Sequence, residues 1–308
     1  MSPFDSPSRR RFLGSSLAVA AVARMAIPAR AAVAEEKPYL PIYKTLKWGM
    51  IGVPGNVTDK FRAAKEAGFD GVELDSPGVD VKAVREAIDA TGLPVDGTVC
   101  STHWGIRHSS PDAGTRAQAL QDLETAIRQT HAVGGHTVLL VVGKGEDGPE
   151  NEIWPRSIEN IRKALPLAGQ LGIYIAIENV WNQFLYDHGG PSNQSAEKYA
   201  KYVDEFDSPW VGMQFDLGNH WKYGDVAEWV RTLGKRIVKL DIKGFSRAKD
   251  GFTPNVTGGD IDWASVRAAL REIGFTGWCA AEVSGGDLKH LTQIAKEMDE
   301  AMGIPAKS

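Results

Sequence analysis

The chain has 308 residues, 43% of them hydrophobic and 24% charged, with a formal net charge of −4. That is enough apolar material for one large domain or two small ones. The acidic balance argues against a nucleic-acid partner, whose phosphate backbone calls for clustered Lys and Arg.

At the start of the chain, Ser8-Arg9-Arg10-Arg11-Phe12-Leu13 precedes an Ala-rich, moderately apolar run from Gly14 to Ile27, and Ala29-Arg30-Ala31 follows. A basic start, an apolar run and small residues at a cleavage point form the pattern of an export signal. The paired arginines before Phe-Leu resemble the twin-arginine type. The run is shorter than the roughly 20 residues a membrane span needs. A disordered basic tail or an uncleaved anchor is the competing reading. The expectation is a signal over residues 1–31, the twin-arginine export machinery as a partner, and a periplasmic or extracytoplasmic location. Cleavage after Ala31 removes five of the 35 Lys+Arg and one of the 39 Asp+Glu, which leaves a net charge of −8. Residues 32–45, with Pro38 and Pro41, read as an extended lead-in, and 46–308 as a single domain.

From there short β-branched runs alternate with amphipathic segments. The runs are Trp48 to Val53, Gly71 to Leu74, Val95 to Ser101, Thr137 to Val142, Ile173 to Ile177, Val211 to Phe215, Ile237 to Ile242 and Trp278 to Val283. The helical stretches between and after them are Asp59 to Ala67, Val81 to Ala90, Ala113 to Val133, Ser157 to Leu171, Ser195 to Phe206, Val226 to Leu233, Trp263 to Ile273 and Leu288 to Met302. Glycines close several helices just before a strand, Gly92 and Gly274 among them, as left-handed caps require. Eight strands alternating with eight helices predict an α/β fold, a (β/α)₈ TIM barrel. No glycine-rich dinucleotide loop follows the first run, which weakens an open doubly wound sheet. Cys100 and Cys279 fall in runs three and eight, which are not barrel neighbours, and read as buried thiols.

Barrel chemistry sits where strands end. Runs five to eight close on Glu178, Asp216, Asp241 and Glu282. Charge at such positions is costly unless it is paired or bound to a cation. Four acids at one mouth predict a hard divalent ion, Mg²⁺ or Mn²⁺ with Co²⁺ as a further candidate. Taken singly, each acid reads equally as an ordinary ion-pair partner. Asp241 in particular lies two residues before Lys243, where strand alternation would let the two pair.

Four stretches resemble the xylose isomerase-like superfamily, in its sugar phosphate isomerase/epimerase branch. They are Phe61 to Leu74, Ile177-Glu178-Asn179, Phe215-Asp216-Leu217-Gly218-Asn219, and Gly258 to Trp263 running on to Gly274-Phe275-Thr276-Gly277-Trp278 and Glu282. The resemblance implies metal ligands at Glu178, Asp216, Asp241 and Glu282, with Asp241 standing where His is usual. It implies that Glu178 and Glu282 move protons to and from the carbon beside a carbonyl through an enediolate. It also implies that Arg247 binds substrate.

Around this mouth His103 and Trp104 read as a hydroxyl donor and an apolar floor for a sugar, or as a packed loop pair. His220 reads as a substrate or outer contact, and Lys243 as an oxyanion partner or the mate of Asp241. Glu73 faces the same mouth in a supporting role. The expected function is a divalent-metal-dependent isomerase or epimerase of a non-phosphorylated keto-sugar, since export disfavours sugar phosphates. The alternatives are an exported lyase or hydratase that abstracts an α-proton from a 3-keto-glycoside and eliminates a β-substituent, and a non-catalytic sugar-binding barrel. A homo-oligomer is compatible with all three.

Overall fold

The computed structural model describes residues 41–305, so the expected signal and most of the lead-in lie outside the described residues. Alternation of inward and outward residues, capped by Gly-terminated helices, gives β1 (Ile42–Lys47), α1 (Val57–Glu66), β2 (Gly71–Ser76), α2 (Val81–Thr91), β3 (Val95–Cys100), α3 (Ala113–Ala132) and β4 (Thr137–Leu140). The second half supplies α4 (Glu150–Arg162), α5 (Leu165–Leu171), β5 (Tyr174–Glu178), α6 (Glu197–Asp204), β6 (Val211–Asp216), α7 (Leu217–Trp221) and α8 (Val226–Leu233). It ends with β7 (Ile237–Ile242), α9 (Trp263–Ile273), β8 (Gly277–Ala281) and α10 (Leu288–Met302). The eight strands close in sequence order, each parallel to its neighbours, with β8 paired back onto β1. This is the expected TIM barrel.

Local chemistry sets the element ends. Asp80, Asp112, Asp225, Asp262 and Asp287 each accept a backbone N–H at the start of a helix, which satisfies one of the orphan donors there. Gly92, Gly172, Gly274 and Gly303 end helices in the left-handed conformation.

Two expectations need correction. The first strand is Ile42–Lys47, not Trp48 to Val53; Trp48–Met50 form a turn of 3₁₀ helix at its carboxyl end. The run IYKTLK carries two lysines, so its polarity hides a strand. Both are accommodated, because the Lys44 ammonium pairs with Asp299 at 2.7 Å and that of Lys47 with Asp241 at 2.9 Å. The single helix expected from Ser157 to Leu171 is two, α4 and α5, separated just before Pro166, which cannot donate a helical hydrogen bond. Two elements went unforeseen: α7, and a hairpin after β7 that pairs Phe245–Ser246 with Gly251–Phe252.

The barrel interior departs from the usual filling of branched aliphatics. Lys239 is fully buried and forms ion pairs with Glu73, at 2.6 Å, and with Asp96. Thr45 donates to Asp96 at 2.7 Å, and Gln214 to Glu73 at 3.2 Å. A charged layer therefore underlies the mouth of the barrel. Cys100 and Cys279 are buried and unpaired.

Candidate active site

Each later strand delivers one acid to the mouth. Glu178 ends β5 and Asp216 ends β6; Asp241 lies one residue before the end of β7, and Glu282 follows β8 directly. The backbone N–H of Glu282 donates to the Ile242 carbonyl at 3.0 Å, which ties its position to β7. One carboxylate oxygen from each of the four lies within 4.8 Å of the others.

Two asparagines hold the β5 and β6 ends together. Asn179 Nδ2 donates to the Asp216 carbonyl at 2.9 Å, and its Oδ1 accepts the Asp216 N–H at 2.8 Å. Asn219 Nδ2 donates to the Asn179 carbonyl at 3.0 Å. Asp216 Oδ1 accepts the Asn219 N–H at 2.7 Å and so caps α7. Gly218 is needed at this turn, because a Cβ there would fall on the Lys243 side chain and 2.7 Å from its carbonyl oxygen. The sequence stretches around Asn179 and Asn219 thus build the frame that presents Glu178 and Asp216.

Two ammonium groups stand among the acids. Lys243 Nζ bridges Asp216 at 2.8 Å and Glu282 at 2.7 Å. The expected pairing of Lys243 with Asp241 is therefore not formed. Strand β7 ends at Ile242, so the alternation that would put the two on one side no longer applies. Asp241 pairs instead with Lys47, at 2.9 Å, and accepts from Gln214 at 2.8 Å. Lys47 also reaches Glu73 at 3.2 Å. Sequence reasoning missed Lys47 because it placed the first strand one residue too late to include it.

This arrangement drives the two glutamates apart. Burial raises the Glu178 carboxyl well above its ordinary value, and the neighbouring charges of Glu282 and Asp241 raise it further. Burial acts the same way on Glu282, but Lys47 and Lys243 overcome it and bring Glu282 down to about 2. Asp241 is raised to about 6 by burial, against the pull of Lys47. Burial also raises Asp216, against Lys243. Burial would lower Lys47, yet Asp241 and Glu73 hold it well above the ordinary lysine value.

The donor set suits a hard divalent cation. All four donors are carboxylate oxygens, and a cation bonded to oxygen at about 2.0 to 2.6 Å brings its ligands within roughly 4 to 5 Å of one another. Lys243 competes for two of those donors, Asp216 and Glu282.

Beside the acids opens a cavity of about 400 Å³, lined by Lys47, Glu178, Lys243 and Glu282 together with His103 and Trp104. The Val141 N–H donates to His103 Nδ1 at 3.1 Å, so the ring proton sits on Nε2. Burial keeps this histidine neutral, with its pKa down at about 3. Its Nε2–H is therefore a donor for a neutral hydroxyl or carbonyl. Trp104 packs edge-on against it, with ring centroids 5.5 Å apart.

Two expected substrate contacts lie elsewhere. His220, on α7, is buried, stacked on Trp229 at 3.5 Å, with Tyr186 Oη 3.2 Å from its Nδ1. The helical turn that begins at Asp216 carries it inward rather than into the mouth. Arg247 lies over the Trp221 ring at 3.7 Å and donates to the carbonyls of Trp221, at 2.7 Å, and Gly224, at 2.9 Å. It clamps α7 to the loop after β7. Glu73 does not line the cavity; it is buried in the charged layer beneath the mouth, paired with Lys239 and Lys47, which hold it to about 2 against burial.

Residues 61–303 match the family model described as the Xylose isomerase-like TIM barrel. An L-ribulose-5-phosphate 3-epimerase of Salmonella paratyphi C is 26% identical over 239 residues, which span 71% of this chain and 79% of the relative. Among solved structures, the 3-keto-D-glucoside 4-epimerase of E. coli superposes with a TM-score of 0.70 at 18% identity, covering 85% of this chain and 99% of that one. The D-allulose 3-epimerase of Methylomonas sp. gives 0.68 at 18% identity, covering 85% and 97%. These structural likenesses speak to the fold.

Proposed function

The chain belongs to the Xylose isomerase-like TIM barrel family, and on that premise we propose that it is a divalent-metal-dependent isomerase or epimerase of a non-phosphorylated keto-sugar. One observation carries the reading: Glu178 and Glu282 stand on one mouth with Asp216 and Asp241, one carboxylate oxygen of each within 4.8 Å of the others, and both glutamates line the adjoining cavity. Two carboxyl groups at one mouth can serve as proton acceptor and proton donor to the same substrate carbon. Glu282, ionised, removes the proton from the carbon beside the substrate carbonyl. Glu178 returns one. Proton transfer between carbon and a positioned carboxyl needs no redox cofactor.

Glu178, Asp216, Asp241 and Glu282 would hold the cation, Mn²⁺, Mg²⁺ or Co²⁺, which when bound supplies Lewis-acid polarisation of the carbonyl. His103 Nε2–H orients a substrate oxygen from the other side of the cavity. Lys47 keeps Asp241 charged and Glu282 ionised.

The sugar epimerase names of the relatives support the reaction class. The absence of phosphate from the substrate is supported by the lining, where Lys47 and Lys243 are both already engaged by carboxylates and Asp75 adds a further acid. Export through the twin-arginine route, argued from Arg9 and Arg10, belongs to the same reading and places the enzyme outside the cytoplasm.

A second reading uses the same pair. Glu178 can give a proton to a leaving group instead of to carbon, which turns α-proton removal into β-elimination from a 3-keto-glycoside. Product analysis separates the two, since only elimination releases an aglycone. The proposal itself is tested by metal analysis of the purified protein. One divalent ion per chain, lost together with activity on chelation, is expected. Full activity in metal-free protein would overturn it.

A further inference from the structure

Three large hydrophobic side chains among the described residues are exposed, and two of them, Trp104 and Phe252, border the active-site cavity. Trp104 is 52% and Phe252 48% exposed. They come from opposite parts of the barrel rim: Trp104 follows β3, and Phe252 lies on the hairpin after β7. An exposed aromatic face costs solvation free energy, so two that share one cavity mouth call for an explanation that isolated ones do not.

The Phe252 face is held in place. Its ring stacks on Trp181, with centroids 4.8 Å apart and planes 23° from parallel. Trp181 is anchored by a hydrogen bond from its Nε1 to the Asn219 carbonyl at 2.8 Å, and it packs edge-on against Phe245 at 5.6 Å. Phe245 and Phe252 are themselves cross-strand partners in the hairpin. The hairpin thus carries a stiff aromatic shelf, and the chain that leads into it begins with Lys243. The Lys243 ammonium lies 4.9 Å from the Phe252 ring centre, which sets the shelf directly beside the carboxylates.

The carboxylate end of the cavity is lined by Glu178, Glu282, His103 and Lys243, polar groups suited to sugar hydroxyls. None of those residues calls for aromatic walls further out. We propose that Trp104 and the Trp181–Phe252 stack form a second subsite, which binds a ring-bearing aglycone, so that the substrate is a glycoside rather than a free monosaccharide. This rests on the sugar-active reading above and narrows its substrate class. Flat aromatic walls match an aryl group or the apolar face of a second sugar ring, and both are recognised by the same stacking.

The test compares binding of phenyl β-D-glucoside and methyl β-D-glucoside to the full-length, metal-loaded protein by calorimetry, in wild type and in Phe252→Ala and Trp104→Ala. The phenyl compound is expected to bind about tenfold more tightly, with that margin falling to about twofold or less in each variant, in keeping with the worth of aromatic contacts. Both side chains are about half exposed, so truncation leaves the barrel core untouched. Equal affinity of the two glucosides for wild type, a margin that survives both substitutions, or no binding of either compound at millimolar concentration would overturn the subsite. Solvent-deuterium exchange into the corresponding 3-keto-glucosides is followed in parallel. A preserved phenyl margin without any exchange supports the subsite and overturns the enediolate reading, so the two failures are distinguishable.

Discussion

Replacing Lys47 with Met tests how the carboxylate cluster is kept together. The Lys47 side chain is 15% exposed, and both of its partners, Asp241 and Glu73, are fully buried. Removing one member of a buried ion pair leaves its partner uncompensated, at a cost of about 3 to 5 kcal/mol. Asp241 keeps its hydrogen bond from Gln214 and Glu73 keeps Lys239, which places the loss near the lower end, about 3 kcal/mol. For a chain of this size each kcal/mol moves Tm by roughly 2 to 4 °C, so thermal unfolding followed by circular dichroism should show a drop of about 6 to 12 °C. A divalent cation can take over the neutralising role, so added Mn²⁺ is expected to raise Tm more in the variant than in wild type. A Tm within about 2 °C of wild type in metal-free buffer would refute the reasoning, because the two buried acids would then have had no need of Lys47.

Substituting Gln for Glu282 or Glu178 keeps shape and removes acid–base capacity, and each should lower kcat by about 10²- to 10⁴-fold; near wild-type kcat in Glu282→Gln would remove it as the base. Metal affinity should weaken as pH falls from 7 to 5, because Asp241 takes up its proton near pH 6 and protonation competes with the cation. Calorimetric titration with Mn²⁺ at several pH values measures this, and an affinity independent of pH over that range would exclude Asp241 as a ligand. Changing Arg9 and Arg10 together to Lys should retain the chain in the cytoplasm with its leader uncut, read by fractionation and amino-terminal sequencing; unchanged export would end the twin-arginine assignment.

The acids were legible because each interrupts or ends an apolar strand, where an unpartnered charge makes no sense unless something meets it. Their companions were not legible, and for particular reasons. The β1 run looks too polar for a strand because its lysines answer charges far along the chain, Lys44 to Asp299 and Lys47 to Asp241. Lys243 lies beyond the last residue of β7, so period-two alternation gave it the wrong partner. His220 and Arg247 depend on α7, a single short helix whose start is set by the Asp216 cap, and a one-turn helix leaves little periodicity to read. The charged layer of Glu73, Asp96 and Lys239 shows how far pairwise burial can override hydrophobic patterning inside this barrel.

Solvent-deuterium exchange tests the central claim most directly. A keto-sugar incubated with Mn²⁺-loaded protein in D₂O should recover deuterium at the carbon beside the carbonyl, with incorporation lost on chelation and in Glu282→Gln. Exchange that persists in chelator, or a complete lack of exchange in metal-loaded protein that binds the sugar, would contradict it.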